Sequence, residues 1–208
     1  MRLNKPLNKI LNTETKIKVL RFFCSAGGET TGRQVAKLLN VASTPVQSAL
    51  RDLYNEGILD RKGFGRAFAY QLNSKNWGVE KLLKPLFRSE AEYPQTLWNR
   101  IQEEIENSFL KKQIFSVVLY GSVPIAQERP TSDIDFLVII KDSADKEVVE
   151  NFFIDMNRSI IQETGLNIDA RVYSVSEFKN KCAEGPVFIK SATQSHQVIF
   201  GKGLEAFK

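Results

Sequence analysis

The sequence predicts two domains of different class: an α+β domain in the first part, and an α/β domain with a mixed sheet and helices in the last part. Apolar residues at helical spacing, followed by one short hairpin pattern, predict the first, and strand-type runs separated by a helical pattern predict the second. The charge also changes along the chain. Residues 1–88 hold 16 Lys and Arg against 6 Asp and Glu, whereas residues 89–208 hold 13 against 18. The basic part therefore suits a polyanion, and the acidic part does not.

The predicted domain boundaries are 1–75 for the N-terminal domain, 76–112 for connecting helices and 113–208 for the C-terminal domain. Pro85 and Pro94 are expected to divide the connecting segment into helical pieces. The beginning of the sequence lacks the pattern of a secretory signal peptide, and no apolar run approaches the roughly 20 residues that span a bilayer. A cytoplasmic protein without membrane association is expected.

Three short helices and a hairpin are predicted in the basic part. The helices correspond to "NTETKIKVLRFFCSAG", "TTGRQVAKLLN" and "VASTPVQSALRDLYNEGIL". In the second of these, Val35, Leu38 and Leu39 are expected on one buried face. The segment "ILDRKGFGRAFAYQL" then predicts two strands joined by a tight turn at Lys62–Gly65, with basic residues at the tip.

This pattern resembles the DNA-binding domain of winged-helix bacterial and archaeal repressors, over about residues 11–74. The resemblance implies that the third helix enters the major groove of DNA and that the hairpin wing contacts the backbone or the minor groove. The implied contacts from the helix to bases or phosphates are Ser43, Thr44, Gln47, Ser48 and Arg51, and those from the wing to phosphates are Arg61, Lys62 and Arg66. The same residues could be ordinary solvated positions, and winged helices also bind proteins. Winged helices often act as homodimers, and the sequence leaves the oligomeric state open.

The acidic part predicts an α/β arrangement around two apolar strands. The strands are Ile114–Tyr120 and Asp133–Ile140. An amphipathic helix over about residues 145–164 follows, and "LNIDARVYSV" is a third strand that carries Asp169 near its start. A short helix from Ser176, a helical piece near "GPVFIKSAT" and a final apolar run "QVIFG" complete this domain.

The segment "LYGSVPIAQERPTSDIDFLVI" carries the chemistry of the acidic part. Side chains alternate along a strand, so Asp133 and Asp135 point to the same side. Two adjacent carboxylates raise each other's proton affinity unless a cation lies between them, and Mg²⁺ suits carboxylates and substrate phosphates together. Asp169 on a neighbouring strand could reach the same place, and Gly121-Ser122 allows a phosphate to approach the backbone. The acids could also be simple strand-edge or turn residues.

This constellation resembles the nucleotidyltransferases of the DNA polymerase β superfamily, in particular the minimal nucleotidyltransferase domains of prokaryotes. Their pattern is a strand, Gly-Ser, a loop of about nine residues and Ser-Asp-x-Asp, which here reads Gly121-Ser122, "VPIAQERPT" and Ser132-Asp133-Ile134-Asp135. The resemblance implies that Asp133 and Asp135 bind two Mg²⁺ ions, with Asp169 as the third metal-site and catalytic carboxylate. It also implies phosphate contacts from Gly121, Ser122 and Ser132.

The implied reaction transfers a nucleoside monophosphate from a nucleoside triphosphate to a hydroxyl acceptor. The chain departs from the family at one place, because members often carry a pattern like Arg-x-Arg-Gly soon after Gly-Ser. This chain has Val123, Pro124, Ile125 and Ala126 there, and Arg129 is the one cation of the loop.

Two hypotheses therefore stand. One is a Mg²⁺-dependent nucleotidyltransferase with an N-terminal domain that binds double-stranded DNA. The other is a DNA-binding transcriptional regulator whose second domain binds nucleotide or a partner protein without catalysis. Small nucleotidyltransferases of this type are known as antitoxins that modify a partner toxin, so a toxin protein is one candidate partner by resemblance.

Overall fold

The computed structural model describes residues 4–26, 28–65, 67–124, 132–185, 189, 192 and 195–207. Arg66, the loop residues 125–131 with Arg129, and most of the predicted helical piece near "GPVFIKSAT" lie outside the described residues. The chain forms two compact units, Met1–Pro94 and Gln95–Lys208. Each unit encloses its own apolar core.

The first unit combines helices with a small antiparallel sheet. Its helices are α1 (Leu7–Ile10), α2 (Glu14–Ala26), α3 (Gly32–Leu38) and α4 (Ser43–Asn55). Its strands are β1 (Thr30–Thr31), β2 (Leu59–Phe64) and β3 (Ala67–Leu72), in the order β1-β3-β2. Strands β2 and β3 form a hairpin in which Leu59 faces Leu72 and Phe64 faces Ala67. Helices α2 to α4 followed by this hairpin are the winged helix-turn-helix arrangement that the sequence predicts.

Helices α2, α3 and α4 form where the apolar spacing predicts them, whereas the short α1 was not predicted. Helix α4 buries one stripe at helical spacing, Val46, Ala49, Leu50 and Leu53. A capping box between Thr31 and Gln34 begins α3. The prediction for Leu38 is wrong, because this side chain is 66% exposed whereas Leu39 packs against the core. Leu39 is the C-cap residue of α3, and it packs against the core in the place that the sequence pattern offered to both leucines.

The connecting segment is more continuous than the prolines suggest. A π-helical turn, Val79–Leu83, leads into α5, which runs from Lys84 to Asn107 with Pro94 inside it. Helix α5 is therefore not divided at Pro94, contrary to the expectation. Proline removes one backbone hydrogen bond, and the helix continues through this single loss. In the part of the chain that the structure describes, no helix has both the length and the apolarity needed to cross a membrane.

The second unit is built on a four-stranded mixed sheet. Its strands are β4 (Ile114–Tyr120), β5 (Ile134–Ile140), β6 (Ile168–Ser174) and β7 (Gln197–Gly201), in the order β6-β5-β4-β7. Strand β4 is antiparallel to β5 and β7, and β5 is parallel to β6. Helices α6 (Lys146–Thr164) and α7 (Val175–Glu184) and a 3₁₀ turn (Leu204–Phe207) complete the unit. This mixed sheet with helices confirms the predicted fold class.

The sheet is apolar on both faces, as a sheet covered on both sides must be. Ile134, Phe136 and Val138 of β5 share one face and pack in a core with residues of α5 and α6. Leu137 and Ile139 share the opposite face with β4 residues and with Phe178 of α7. The acidic side chains at the start of β5 belong to this second face by alternation, so the α7 side of the sheet carries the candidate site.

Replacing Phe136 by Ala is expected to lower the free energy of unfolding by about 3–5 kcal/mol, because the ring is fully buried and its loss leaves a cavity. The matched control is Phe109→Ala, since the Phe109 side chain is 78% exposed. We expect the control to change stability by less than about 0.5 kcal/mol. Urea denaturation followed by circular dichroism measures both, and equal effects would contradict the packing described for this face.

Candidate functional site

The predicted carboxylates lie together at the start of two neighbouring strands. Asp135 in β5 stands directly opposite Asp169 in β6 in the parallel register. Asp133 immediately precedes β5, and its Oδ1 accepts a hydrogen bond of 2.8 Å from the Asn167 side chain. The backbone amide of Ile134 also donates to the Asn167 carbonyl. Asp169, which is distant from Asp133 and Asp135 in sequence, therefore occupies the same corner of the sheet.

The corner is rich in negative charge that only one nearby cation offsets among the described residues. Partial burial raises the pKa of Asp135, and the neighbouring Asp169 and Asp133 raise that pKa further. The Arg171 guanidinium acts in the opposite direction, and its Nε lies 3.3 Å from Oδ2 of Asp169. Asp135 thus holds its proton more tightly than an ordinary aspartate, and the site would gain from a bound cation.

The Gly121-Ser122 turn closes this corner from the end of β4. Gly121 has a φ of +82°, which favours glycine, and a Cβ atom at this position would overlap the Asp135 carboxylate. The backbone at Gly121 is therefore in contact with the acid. Ser122 lies half-buried in the same turn, and Ser132 immediately precedes Asp133. The predicted phosphate-binding residues accordingly flank the predicted metal-binding ones.

Among the residues that the structure describes, no group of three or more His, Cys, Asp and Glu side chains is arranged to hold a metal ion. Two of the three predicted acids have local partners, Asn167 for Asp133 and Arg171 for Asp169. These contacts direct the carboxylates to protein groups. The residues are thus adjacent in the fold without forming a closed coordination sphere.

Tyr120 also belongs to this corner and was not among the predicted site residues. It ends β4 directly opposite Asp135, and its side chain is only 4% exposed. Burial raises the pKa of Tyr120 to about 12; the nearby Arg171 lowers it, and Asp135 and Asp169 raise it. Strand alternation alone cannot show that Tyr120 and Asp135 share a face, because they lie on different strands. The β4–β5 register, which pairs the two residues directly, is needed as well.

The first unit carries a second candidate surface, between the start of α4 and the β2–β3 hairpin. A groove of about 540 Å³ is lined by Ser43, Thr44, Gln47, Ser48, Arg51, Arg61, Phe68 and Tyr70. Six of the eight predicted DNA contacts are in this groove. Lys62 lines a neighbouring groove together with Arg33, and Arg66 lies outside the described residues.

Arg61 is held differently from an ordinary solvated wing residue. Its guanidinium lies 4.2 Å from the ring centre of Tyr54 in α4 and 4.5 Å from that of Phe68 in β3. Both distances suit cation–π attraction. Phe68 is 48% exposed, whereas Tyr70, two residues later in β3, is buried. Phe68 was not among the predicted DNA contacts, although it lines the groove.

We expect Asp135→Asn to raise the unfolding temperature of the metal-free protein at neutral pH. The raised pKa means that ionisation of Asp135 penalises the folded state, and the variant removes this penalty. The difference in unfolding temperature between the variant and the wild type should shrink as the pH falls through the raised pKa of Asp135. It should vanish below the ordinary aspartate pKa of about 3.9. Thermal unfolding in EDTA at a series of pH values measures this, with the exposed Asp155→Asn as control. A difference independent of pH would contradict the assignment.

One protein family matches the second part of the chain. Residues 103–202 match the family described as polymerase beta, nucleotidyltransferase. No match was found among curated proteins.

Among solved structures, the homodimeric winged helix-turn-helix DNA-binding domain of Mb0332 from Mycobacterium bovis is 16% identical, with a TM-score of 0.36, over 44% of this chain and 81% of that one. HlyU from Vibrio cholerae is 17% identical, with a TM-score of 0.36, over 42% of this chain and 96% of that one. A toxin-antitoxin structure with AMP-PNP is 14% identical, with a TM-score of 0.36, over 53% of this chain and 79% of that one. The family match covers residues 103–202 of this chain, and the first unit has a winged helix-turn-helix fold by the order of its own helices and strands.

Proposed function

We propose that the second unit is a Mg²⁺-dependent nucleotidyltransferase that transfers a nucleoside monophosphate from a nucleoside triphosphate to a hydroxyl acceptor. The observation that carries this proposal is the direct pairing of Asp135 with Asp169 in adjacent strands, beside a turn whose glycine contacts the Asp135 carboxylate. The pairing lies within the segment that matches the family.

The chemistry of the three carboxylates suits two Mg²⁺ ions, although the described side chains are not arranged around a common ion position. Carboxylate oxygens are the protein ligands that Mg²⁺ prefers, and its remaining positions are usually taken by water and substrate phosphates. Asp133 and Asp135 would hold the ions together with the triphosphate, and Asp169 would complete the set. Bound there, Mg²⁺ supplies charge neutralisation for the phosphates and for the leaving pyrophosphate. The raised pKa of Asp135 supports this, because an added cation relieves the repulsion that causes part of it.

The chain's own groups would then divide the work of the transfer. The Gly121-Ser122 backbone and the Ser122 and Ser132 hydroxyls would orient the phosphates. Asp169 would accept the proton of the attacking hydroxyl, whose oxygen forms a bond to the α-phosphorus while the bond to the β-phosphate oxygen breaks. Pyrophosphate leaves with the electron pair of that bond. Arg171, which contacts Asp169, would offset part of the negative charge of the triphosphate, because the uncharged Val123 and Pro124 cannot do so.

Incubation of the full chain with each α-³²P-labelled nucleoside triphosphate, Mg²⁺ and extract from the source cells tests this proposal. We expect labelling of an acceptor with one nucleotide. The Asp133→Asn/Asp135→Asn variant should lower the rate by at least about 100-fold, since the metal ligands are lost. Asp155→Asn, an exposed acid of α6, should leave the rate unchanged. No labelling with any nucleotide, or equal labelling by the double variant, would overturn the proposal.

We propose that the first unit binds double-stranded DNA through α4 and the hairpin. The observation that favours this is the groove between them, whose lining combines hydroxyl, amide and guanidinium groups. Such groups contact both base edges and phosphates. Residues 1–88 carry 16 Lys and Arg against 6 Asp and Glu, which suits a phosphate backbone. Arg61, stacked on two rings, would present its N–H edge in a fixed direction.

Mobility-shift assays with genomic duplex fragments at several salt concentrations test DNA binding. Affinity should fall steeply with salt, and Arg51→Ala should reduce the slope of log K against log salt by about 0.9 if Arg51 contacts one phosphate. Lys18→Ala removes an equal charge from α2, where the side chain pairs with Glu14 and does not line the groove, and should change the slope little. Absence of binding to any duplex at low salt would reject the proposal.

The alternative, a regulator whose second unit binds nucleotide or a partner such as a toxin protein without catalysis, has its own supporting observation. Asp133 and Asp169 are held by Asn167 and Arg171, and Val123 and Pro124 stand where related domains carry cations. The labelling experiment separates the two functions. Nucleotide binding without Asp-dependent labelling, measured by calorimetry on the same protein, would establish the alternative. A homodimer is compatible with either function, and sedimentation of the full chain measures it.

A further inference from the structure

The Tyr120 hydroxyl is an unexplained polar group in the second unit. Its oxygen is buried, and the described residues provide it with no hydrogen-bond partner. Buried tyrosine hydroxyls ordinarily find a partner, because an unmade hydrogen bond inside a protein is unfavourable. The phenol is protonated at neutral pH, so the group available here is a donor that lacks an acceptor.

The position of Tyr120 indicates which acceptor it can serve. Its ring packs in the core on the α7 side of the sheet, with Leu137, Ile139 and Phe178. It is the residue directly opposite Asp135, and directly opposed residues of an antiparallel pair place their side chains on the same face. The hydroxyl lies within electrostatic range of Asp135, Asp169 and Arg171. It therefore faces the acidic corner from its buried side.

Asp133 and Asp169 differ from Asp135 in their side-chain partners. Asp133 accepts a hydrogen bond from Asn167, and Asp169 pairs with Arg171. Asp135 has the Gly121 backbone on one side and the Tyr120 ring opposite it. Carboxylates that bind metal ions are usually oriented by hydrogen bonds to their remaining lone pairs. Tyr120 carries a neutral donor on the same face of the sheet as Asp135, directly across the β4–β5 pair from it.

We propose that Tyr120 is a positioning residue of the site: its buried hydroxyl donates a hydrogen bond to the Asp135 carboxylate when that carboxylate turns to bind a divalent cation, and holds it in the binding orientation. This inference rests on the proposed function, because it assumes that Asp135 binds a cation. The hydroxyl is without a partner in the ion-free protein and gains one in the loaded protein. Removing it should therefore affect the two states differently.

Tyr120→Phe tests the inference without measuring activity. In EDTA, the variant should unfold at the same temperature as the wild type or up to about 2–4 °C higher, since it removes an unpaired buried polar group. Its affinity for Mn²⁺ should be about tenfold weaker than that of the wild type. Mn²⁺ binding is measured by the electron paramagnetic resonance signal of the free ion, in the presence of each α,β-methylene nucleoside triphosphate in turn.

Two further variants make the outcomes distinct. Tyr93→Phe removes a hydroxyl from a tyrosine of α5 that is 44% exposed and lies outside both candidate sites, and should leave Mn²⁺ affinity unchanged. Asp135→Asn should abolish binding. If the wild type binds no Mn²⁺ with any nucleotide, the proposed function and this inference both fall. If the wild type binds and Tyr120→Phe binds equally well, or if Tyr120→Phe unfolds at a lower temperature in EDTA, only the role of Tyr120 is overturned.

Discussion

The parallel register between β5 and β6 is the constraint on which the candidate site depends. It places Ile134 opposite Ile168 on the face covered by α6 and, one residue later, Asp135 opposite Asp169 on the other face. A slip of one residue would turn buried isoleucines toward the site and acids toward the core, at a large cost in apolar burial. The free energy of core packing therefore enforces a juxtaposition of like charges that electrostatics alone would oppose.

The unfavourable features of the second unit concentrate at that same end of the sheet. Burial and neighbouring carboxylates raise the pKa of Asp135. Gly121, beside this carboxylate, has a backbone conformation in the left-handed region. The Tyr120 hydroxyl lacks a partner among the described residues. Elsewhere β4 and β5 are almost entirely apolar and buried. Local departures from good packing and polar satisfaction that gather at one place are typical of functional sites, where a ligand completes what the protein leaves incomplete.

In the first unit, aromatic stacking fixes helix α4 relative to the β2–β3 hairpin. The Arg61 guanidinium lies between Tyr54 of α4 and Phe68 of β3, so one cation links the helix to the hairpin through two ring faces. Gly32 at the start of α3 leaves room for the Gln47 side-chain amide of α4, because a Cβ there would overlap this amide and force it to move. Small and flat groups thus set the shape of the groove in which the polar side chains lie.

Local pattern determined much of this protein from sequence alone. The helical stripe of α4, the hairpin after it, the apolar strands β4 and β5, and the position of Gly121-Ser122 before the Asp133–Asp135 pair all follow from side-chain periodicity and turn chemistry. Tertiary structure alone decided the pairing of Asp135 with Asp169, the stacking around Arg61, the exposure of Leu38, the continuity of α5 through Pro94 and the unpaired Tyr120 hydroxyl. Periodicity reports which side of an element a residue occupies. What meets it there depends on strand register and on packing between residues far apart in sequence, which no local pattern encodes.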